Sequence, residues 1–356
     1  EMSASLVGSE MCIRDRGVMV VAPNMYGRTN IGDYIQALAA KQFIGETDIY
    51  IERDHELNVY NGKPVKMIMN GWFMDYGENF PPVDSIKPLY VAFHINKLGL
   101  PGLLSSKAIE HYKKHQPIGC RDEHTAELLR EHGVDAYFSG CLTLTLGMSY
   151  RSDEKDGNVY IVDPMYSTFN LSKRPFLIAK TFFRLLFNYR QIKTITLKRR
   201  QQGLTALFHN TIFYSAYRKA FSEDILLNAE YIEHINDVIP KTYPDYQSKM
   251  NYAKMLINKY ARAKLVITSK IHCALPCTGL ETPVVYIRAN NESTLSTDRY
   301  GGLIDLLNVL EWKGDGLNLP EGFNRITLNN LPKIKNSWRK YAESLISRCK
   351  DFVENN

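Results

Sequence analysis

Residues 265–288 read LVITSKIHCALPCTGLETPVVYIR, and they constrain the fold more than any other stretch. Leu265-Val266-Ile267-Thr268 is a short β-branched apolar run bounded by polar residues, the pattern of a buried strand. Ser269-Lys270-Ile271-His272 follows where the chain turns into a short helix. Pro283-Val284-Val285-Tyr286-Ile287 supplies a second buried run after Gly279 and Thr282. Strand, polar turn, helix and strand make a βαβ unit and predict an α/β fold. In open α/β sheets ligands sit beyond the carboxyl ends of the strands, which is where Ser269, Lys270 and His272 fall. The helix start offers unpaired backbone N–H groups and a positive dipole end, Lys270 adds a full charge, and His272 can exchange a proton. An anion is the natural guest. A plainer reading fits the same spacing, with Ser269 as an N-cap, Lys270 solvated and His272 a hydrogen-bonded structural residue.

Similar units precede this one. Val18-Met19-Val20-Val21 reads as a first buried strand, and the loop from Asn24 to Gly32 leads to Asp33, a good N-cap for a helix over residues 34–43. The loop is neither a GxGxxG nor a Walker pattern, although Asn30, Gly32 and Asp33 suit a backbone that approaches a ligand. Further strands are expected at 48–51, 65–70 and 89–93. The last two end in Asn70-Gly71-Trp72 and His94-Ile95-Asn96, at the same edge if the strands are parallel. Trp72 is there either a stacking platform for a sugar ring or a rim residue; His94 is either a site histidine or a structural one. Arg121 ends a short strand before the helix at 123–129, where its guanidinium can clamp a carboxylate or phosphate or pair with Asp122.

A chain of 356 residues exceeds one ordinary core, so two domains are expected. Residues 1–16 join no periodic element and resemble translated adapter read-through; they are set aside as a non-native leader without the apolar run of a signal peptide. No run of about 18 apolar residues follows, so no spanning helix is expected. The six cysteines show no CxxC pair; Cys273 and Cys277, four apart on a predicted helix, read as buried thiols rather than zinc ligands. A reducing, cytoplasmic compartment fits that usage. No metal site is evident.

From 164 to 222 there is no acidic residue but eleven Lys or Arg, while the whole chain carries only +6. Phe176, Leu177, Phe182, Phe183, Leu185, Leu186 and Phe187 are interleaved with them. The pattern is a basic amphipathic helix, suited to anionic lipid or a lipid-pyrophosphate-linked acceptor at the inner face of the cell membrane. The alternative is a solvated basic helix whose Phe/Leu face packs on the second domain. No nucleic-acid recognition module is visible. A short helix is expected at 304–310, and a last one at 332–353.

The pattern Thr268-Ser269-Lys270-Ile271-His272, then Ala274, Gly279 and Thr282-Pro283-Val284, resembles the C-terminal signature of the polysaccharide pyruvyl transferases. Asn30-Ile31-Gly32-Asp33 resembles that family's Asn-x-Gly-Asp, Arg121-Asp122 its Arg-Asp/Glu, and Arg299 a recurrent basic residue before a helix. Lys270 departs from the family, which usually has Arg there; a point charge holds phosphate but lacks the bidentate fork that matches a carboxylate. The resemblance implies two Rossmann-like domains facing a cleft in a GT-B-like arrangement. Residues 17–150 would form the acceptor side and 158–315 the donor side, with the basic insert at 164–222. It implies transfer of a pyruvyl group from phosphoenolpyruvate to saccharide hydroxyls in surface or exopolysaccharide biosynthesis, with no further cofactor. His272 and His94 are then the acid/base candidates, and Lys270, Ser269, Arg121, Arg299, Asn30, Gly32, Asp33 and Trp72 the substrate contacts. A nucleotide-sugar glycosyltransferase and a non-catalytic saccharide- or membrane-binding protein are the rivals on the same scaffold.

Overall fold

The apolar runs of the chain assemble into two six-stranded sheets. A computed structural model describes residues 15–47, 49–165, 175–289, 300–314 and 316–355. In chain order the strands are β1 (Asp15–Val20), β2 (Thr29–Asn30), β3 (Ile49–Glu52), β4 (Val65–Phe73), β5 (Ile86–Ile95), β6 (Ile118–Cys120) and β7 (Ala136–Phe138). They continue with β8 (Val159–Val162), β9 (Glu230–Ile232), β10 (Ile235–Asn236), β11 (Leu265–Thr268), β12 (Val284–Ala289), β13 (Val309–Lys313) and β14 (Gly316–Asn318). The first sheet runs β3-β1-β4-β5-β6-β7 and is parallel throughout. The second runs β14-β13-β12-β11-β8-β9, parallel except for the edge pair β13–β14. β11, the strand that opens the βαβ unit, is central, flanked by β12 and β8.

Strand periodicity divides the core. Val266 of β11 and Tyr160 and Val162 of β8 face one side, while Leu265, Ile267, Val159 and Ile161 face the other. The first side shares a single apolar cluster with Val18, Val20, Ile68 and Val91 of the first sheet. Helices Ile31–Ile44, Tyr246–Arg262, Ile271–Gly279 and Arg339–Glu354 fill the space between. The outer face of the second sheet is covered by helices of the basic insert through Leu185, Ile192, Ile195, Ile212 and Phe213. That of the first is covered by Ser106–His115 and Glu123–Glu131 through Ala108, Tyr112, Ala126 and Leu129.

A small antiparallel ladder also ties the N-terminal loop to the second half. Thr29 and Asn30 of β2 pair with Asn236 and Ile235 of β10, and the Ile31 N–H donates to the His234 carbonyl at 2.9 Å.

Several boundaries differ from the sequence reading. β1 starts at Asp15, two residues inside the stretch set aside as leader, because Asp15 and Arg16 pair with Val65 and Lys66. The first helix is capped by Asn30 rather than Asp33; the Asn30 side chain accepts from the Gly32 N–H, so helix begins three residues early and Asp33 falls in its first turn. Residues 304–306 form only a 3-10 turn, and Val309-Leu310 joins β13, where parallel pairing to β12 overrides helical propensity. The last helix begins at Arg339, after buried Trp338. Arg299 lies outside the described residues.

Candidate functional site

At the carboxyl end of β11 the three motif residues separate into different tasks. Ser269 does not cap the following helix: its hydroxyl donates to the Asp163 carbonyl at 2.5 Å, joining the ends of β11 and β8, and the capping position is Lys270, whose backbone N–H donates to Thr268 Oγ1. The Lys270 ammonium is partly exposed and lies 3.9 Å from the Asp163 carboxylate. That carboxylate also accepts from the His234 backbone N–H at 3.0 Å. Burial nevertheless raises Asp163 above the usual carboxylate range, against the pull of Lys270. Asp163 adopts a φ of 42°, uncommon for a residue with a Cβ, which turns the chain sharply off β8. Beside it, burial and the Lys270 charge push the His234 ring down to about 3, so the ring is neutral and bonds Tyr260 Oη at 2.7 Å.

These groups open onto a cavity of about 430 Å³ at the carboxyl ends of β8, β9 and β11. Three cations line it: Lys270, Arg28 from the N-terminal loop and Arg199 from the basic insert. Asp163, Glu233 and Asp237 line it as well, Asp163 beside Lys270. Arg199 is held in place, donating to Asn210 Oδ1 at 2.5 Å and lying over the Phe213 ring. Neither arginine, nor Asp163, stands out in the sequence as a site residue. The ladder β2–β10 brings Arg28 there, and a helix of the insert brings Arg199, so only the fold reveals them.

His272 points the other way, into the contact between the two halves. It is buried, and its backbone leaves helical geometry at ψ 17°. Its Nε2 lies 3.2 Å from Arg121 Nη1 and its Nδ1 lies 3.2 Å from Gln36 Nε2. A guanidinium only donates, so Nε2 accepts and a neutral ring carries its proton on Nδ1. The Gln36 amide serves that proton if its oxygen faces the ring, an exchange of amide atoms that leaves the heavy-atom positions unchanged. The same amide atom bonds Asp33 Oδ1 at 3.2 Å, so Asp33 then carries a proton. Burial raises the Asp33 carboxyl, against Arg53 and Arg121, in the direction this arrangement requires.

Gly32 explains how the contact is made. A Cβ on Gly32 would stand 3.1 Å from His272 Cβ and 3.0 Å from Asn30 Oδ1, so a side chain there would push these neighbours back by a few tenths of an ångström. Gly32 thus meets His272 directly, and Asp33 reaches it through Gln36. Gln36 escaped the sequence reading, although it lies one turn beyond Gly32 on the same helix face.

Arg121 and Asp122 form the far wall. The Arg121 side chain is buried, and the residue's backbone N–H donates to the Phe93 carbonyl near the end of β5. Asp122 caps the helix Glu123–Glu131 and bonds buried His94 Nδ1 at 2.6 Å. Burial alone would raise Asp122, but the bonds and charge of His94, the Arg121 charge and the Thr125 N–H outweigh it and lower its pKa. The carboxylate therefore holds the proton on His94 Nδ1. Trp72 lies half-buried at the edge of this region with the Arg53 guanidinium 4.8 Å from its ring centroid, so one face of the supposed sugar platform is covered.

Among the described residues no group of three or more His, Cys, Asp or Glu side chains is placed to hold a metal ion. No curated protein sequence matches the chain. A functionally uncharacterized protein from Klebsiella pneumoniae subsp. pneumoniae NTUH-K2044, of known structure, is similar over 81% of this chain and 87% of its own at 14% identity and a TM-score of 0.40. A family profile described as Polysaccharide pyruvyl transferase matches residues 30–291, which takes in the Asn30-to-Asp33 helix start, Arg121-Asp122 and the whole β11-to-β12 unit. Over that span, well above half its length, the chain belongs to the polysaccharide pyruvyl transferase family.

Proposed function

We propose that the protein transfers a pyruvyl group from phosphoenolpyruvate to saccharide hydroxyls during assembly of a surface or exopolysaccharide, working at the cytoplasmic face of the membrane. The observation that carries this reading is the cavity where Lys270, Arg28 and Arg199 converge at the strand ends of a family member. Its three cations suit the phosphate and carboxylate of the donor. The two sheets act as Rossmann-like domains in a GT-B-like arrangement, with the donor on the second and the acceptor on the first.

The chemistry needs a proton delivered to C3 of the enol phosphate, which makes C2 electrophilic. A saccharide hydroxyl then attacks C2 and gives up its proton, phosphate departs, and a second hydroxyl closes the ketal. His272 lies two residues beyond the cavity residue Lys270, between Arg121 and the Asp33–Gln36 pair, and in this reading it is the proton carrier, with the reacting end of the donor reaching it at the contact between the two halves. His94, its proton held on Nδ1 by Asp122, is the second acid/base candidate. Arg299 remains a candidate second anion contact.

Release of inorganic phosphate from phosphoenolpyruvate, followed with saccharides extracted from a cell envelope as acceptors, tests the reading. Acceptor-dependent release that His272→Gln reduces at least about a hundredfold is expected for loss of an acid/base group. Glycosyl transfer from a nucleotide-sugar without phosphate release from phosphoenolpyruvate would replace it with the glycosyltransferase reading.

A further inference from the structure

The basic insert packs on the second sheet through Leu185, Ile192 and Ile195, while the phenylalanines of its first helix stay outside. Helix Pro175–Phe187 turns Thr181 and Leu185 inward and leaves its large aromatics outside. Phe176, Phe183 and Phe187 are 83%, 59% and 84% exposed. Steps of seven and four residues set these three on one stripe, with Lys180 between Phe176 and Phe183 on the same side. Leu186 is exposed beside them, and Arg190 and Lys193 are exposed just beyond the helix end. Aromatic rings so far out in water, gathered on one helix, mark a surface that another phase or molecule covers.

We propose that this stripe docks the protein on an anionic lipid surface, with the phenylalanines entering the headgroup boundary and the surrounding cations meeting lipid phosphates and carboxylates. Charge complementarity selects that occupant. The segment 164–222 carries eleven Lys or Arg and no Asp or Glu, so the remainder of the chain sums to −5. A second copy seated on the same stripe by twofold symmetry would bring Lys180, Arg190 and Lys193 against their own counterparts, which opposes self-association. An anionic leaflet gains from both components at once, since apolar insertion and cation attraction add for interfacial helices. Among the described residues no helix is long and apolar enough to cross a membrane, so contact through this element is with the surface. The proposal does not depend on the chemistry assigned to the cavity.

Flotation of the full chain with phosphatidylserine/phosphatidylcholine vesicles, against phosphatidylcholine alone, tests it. Partitioning to the anionic vesicles at low salt is expected, falling sharply at about 0.5 M salt, where the Debye length shrinks to a few ångströms. The pair Phe183→Ser and Phe187→Ser, and separately Arg190→Gln and Lys193→Gln, should each weaken partitioning by roughly tenfold or more. Circular dichroism and the melting temperature should remain unchanged, because all four side chains lie on the surface of the insert. Equal partitioning to neutral and anionic vesicles, or binding indifferent to both pairs, overturns the proposal. So does concentration-dependent dimerisation lost in the Phe variant without vesicle binding, or a preference for single-stranded nucleic acid over vesicles.

Discussion

The tightest constraint at the residue scale is the meeting of Gly32 with His272. A single methyl on Gly32 would press within 3.1 Å of His272 Cβ, whose ring bonds Gln36 and Arg121. Gly32→Ala therefore displaces the imidazole by a few tenths of an ångström or more without opening the core. Turnover should fall by about tenfold or more, as small misplacements at reacting groups do. The melting temperature should stay close to that of the parent protein. A variant with full activity would show that His272 need not be held at this point. Much of this site could be read from residue order: Asn30-Ile31-Gly32-Asp33, Arg121-Asp122 and Ser269-Lys270-Ile271-His272 are local patterns. Gln36 could not, because its partner His272 lies 236 positions away and nothing local marks the pairing.

Among elements, the helix Ile271–Gly279 is pinned at both ends. Its start carries His272; its end meets the 3-10 turn Leu142–Leu146 of the first half, backbone against backbone. A Cβ on Gly279 would fall on the Leu144 carbonyl, and one on Gly147 would fall on the Gly279 carbonyl. Neither backbone can rotate away as a side chain would. Gly279→Ala should destabilise the protein by about 2–3 kcal/mol in urea unfolding, as overpacking in a rigid contact does. A loss below about 0.5 kcal/mol would mean the two halves separate there easily. Strands of this scaffold were legible because β-branched apolar runs between turn residues have little choice when buried on both faces. The first-helix cap was not, since Asn30 and Asp33 are both good caps and the β2–β10 ladder decided between them. The insert helix was legible as amphipathic and basic; which of its faces points outward depends on where Thr181 and Leu185 find the second sheet.

The whole molecule places two parallel sheets around one shared apolar cluster, and its charge is divided unevenly between a basic insert and an acidic remainder. That division shapes the cavity, because the insert sends Arg199 to stand with Lys270 and Arg28 alongside Asp163, Glu233 and Asp237. Lys270 is a single point charge, and under the proposed pyruvyl transfer the two arginines from elsewhere in the fold would supply the planar groups that a donor carboxylate prefers. The most direct test is calorimetric titration of phosphoenolpyruvate into the full chain, alongside Lys270→Ala and a panel of nucleotide-sugars. Saturable phosphoenolpyruvate binding, weakened at least about tenfold by loss of one charge-assisted contact in Lys270→Ala, is the predicted result. Binding of a nucleotide-sugar with no response to phosphoenolpyruvate would contradict the account.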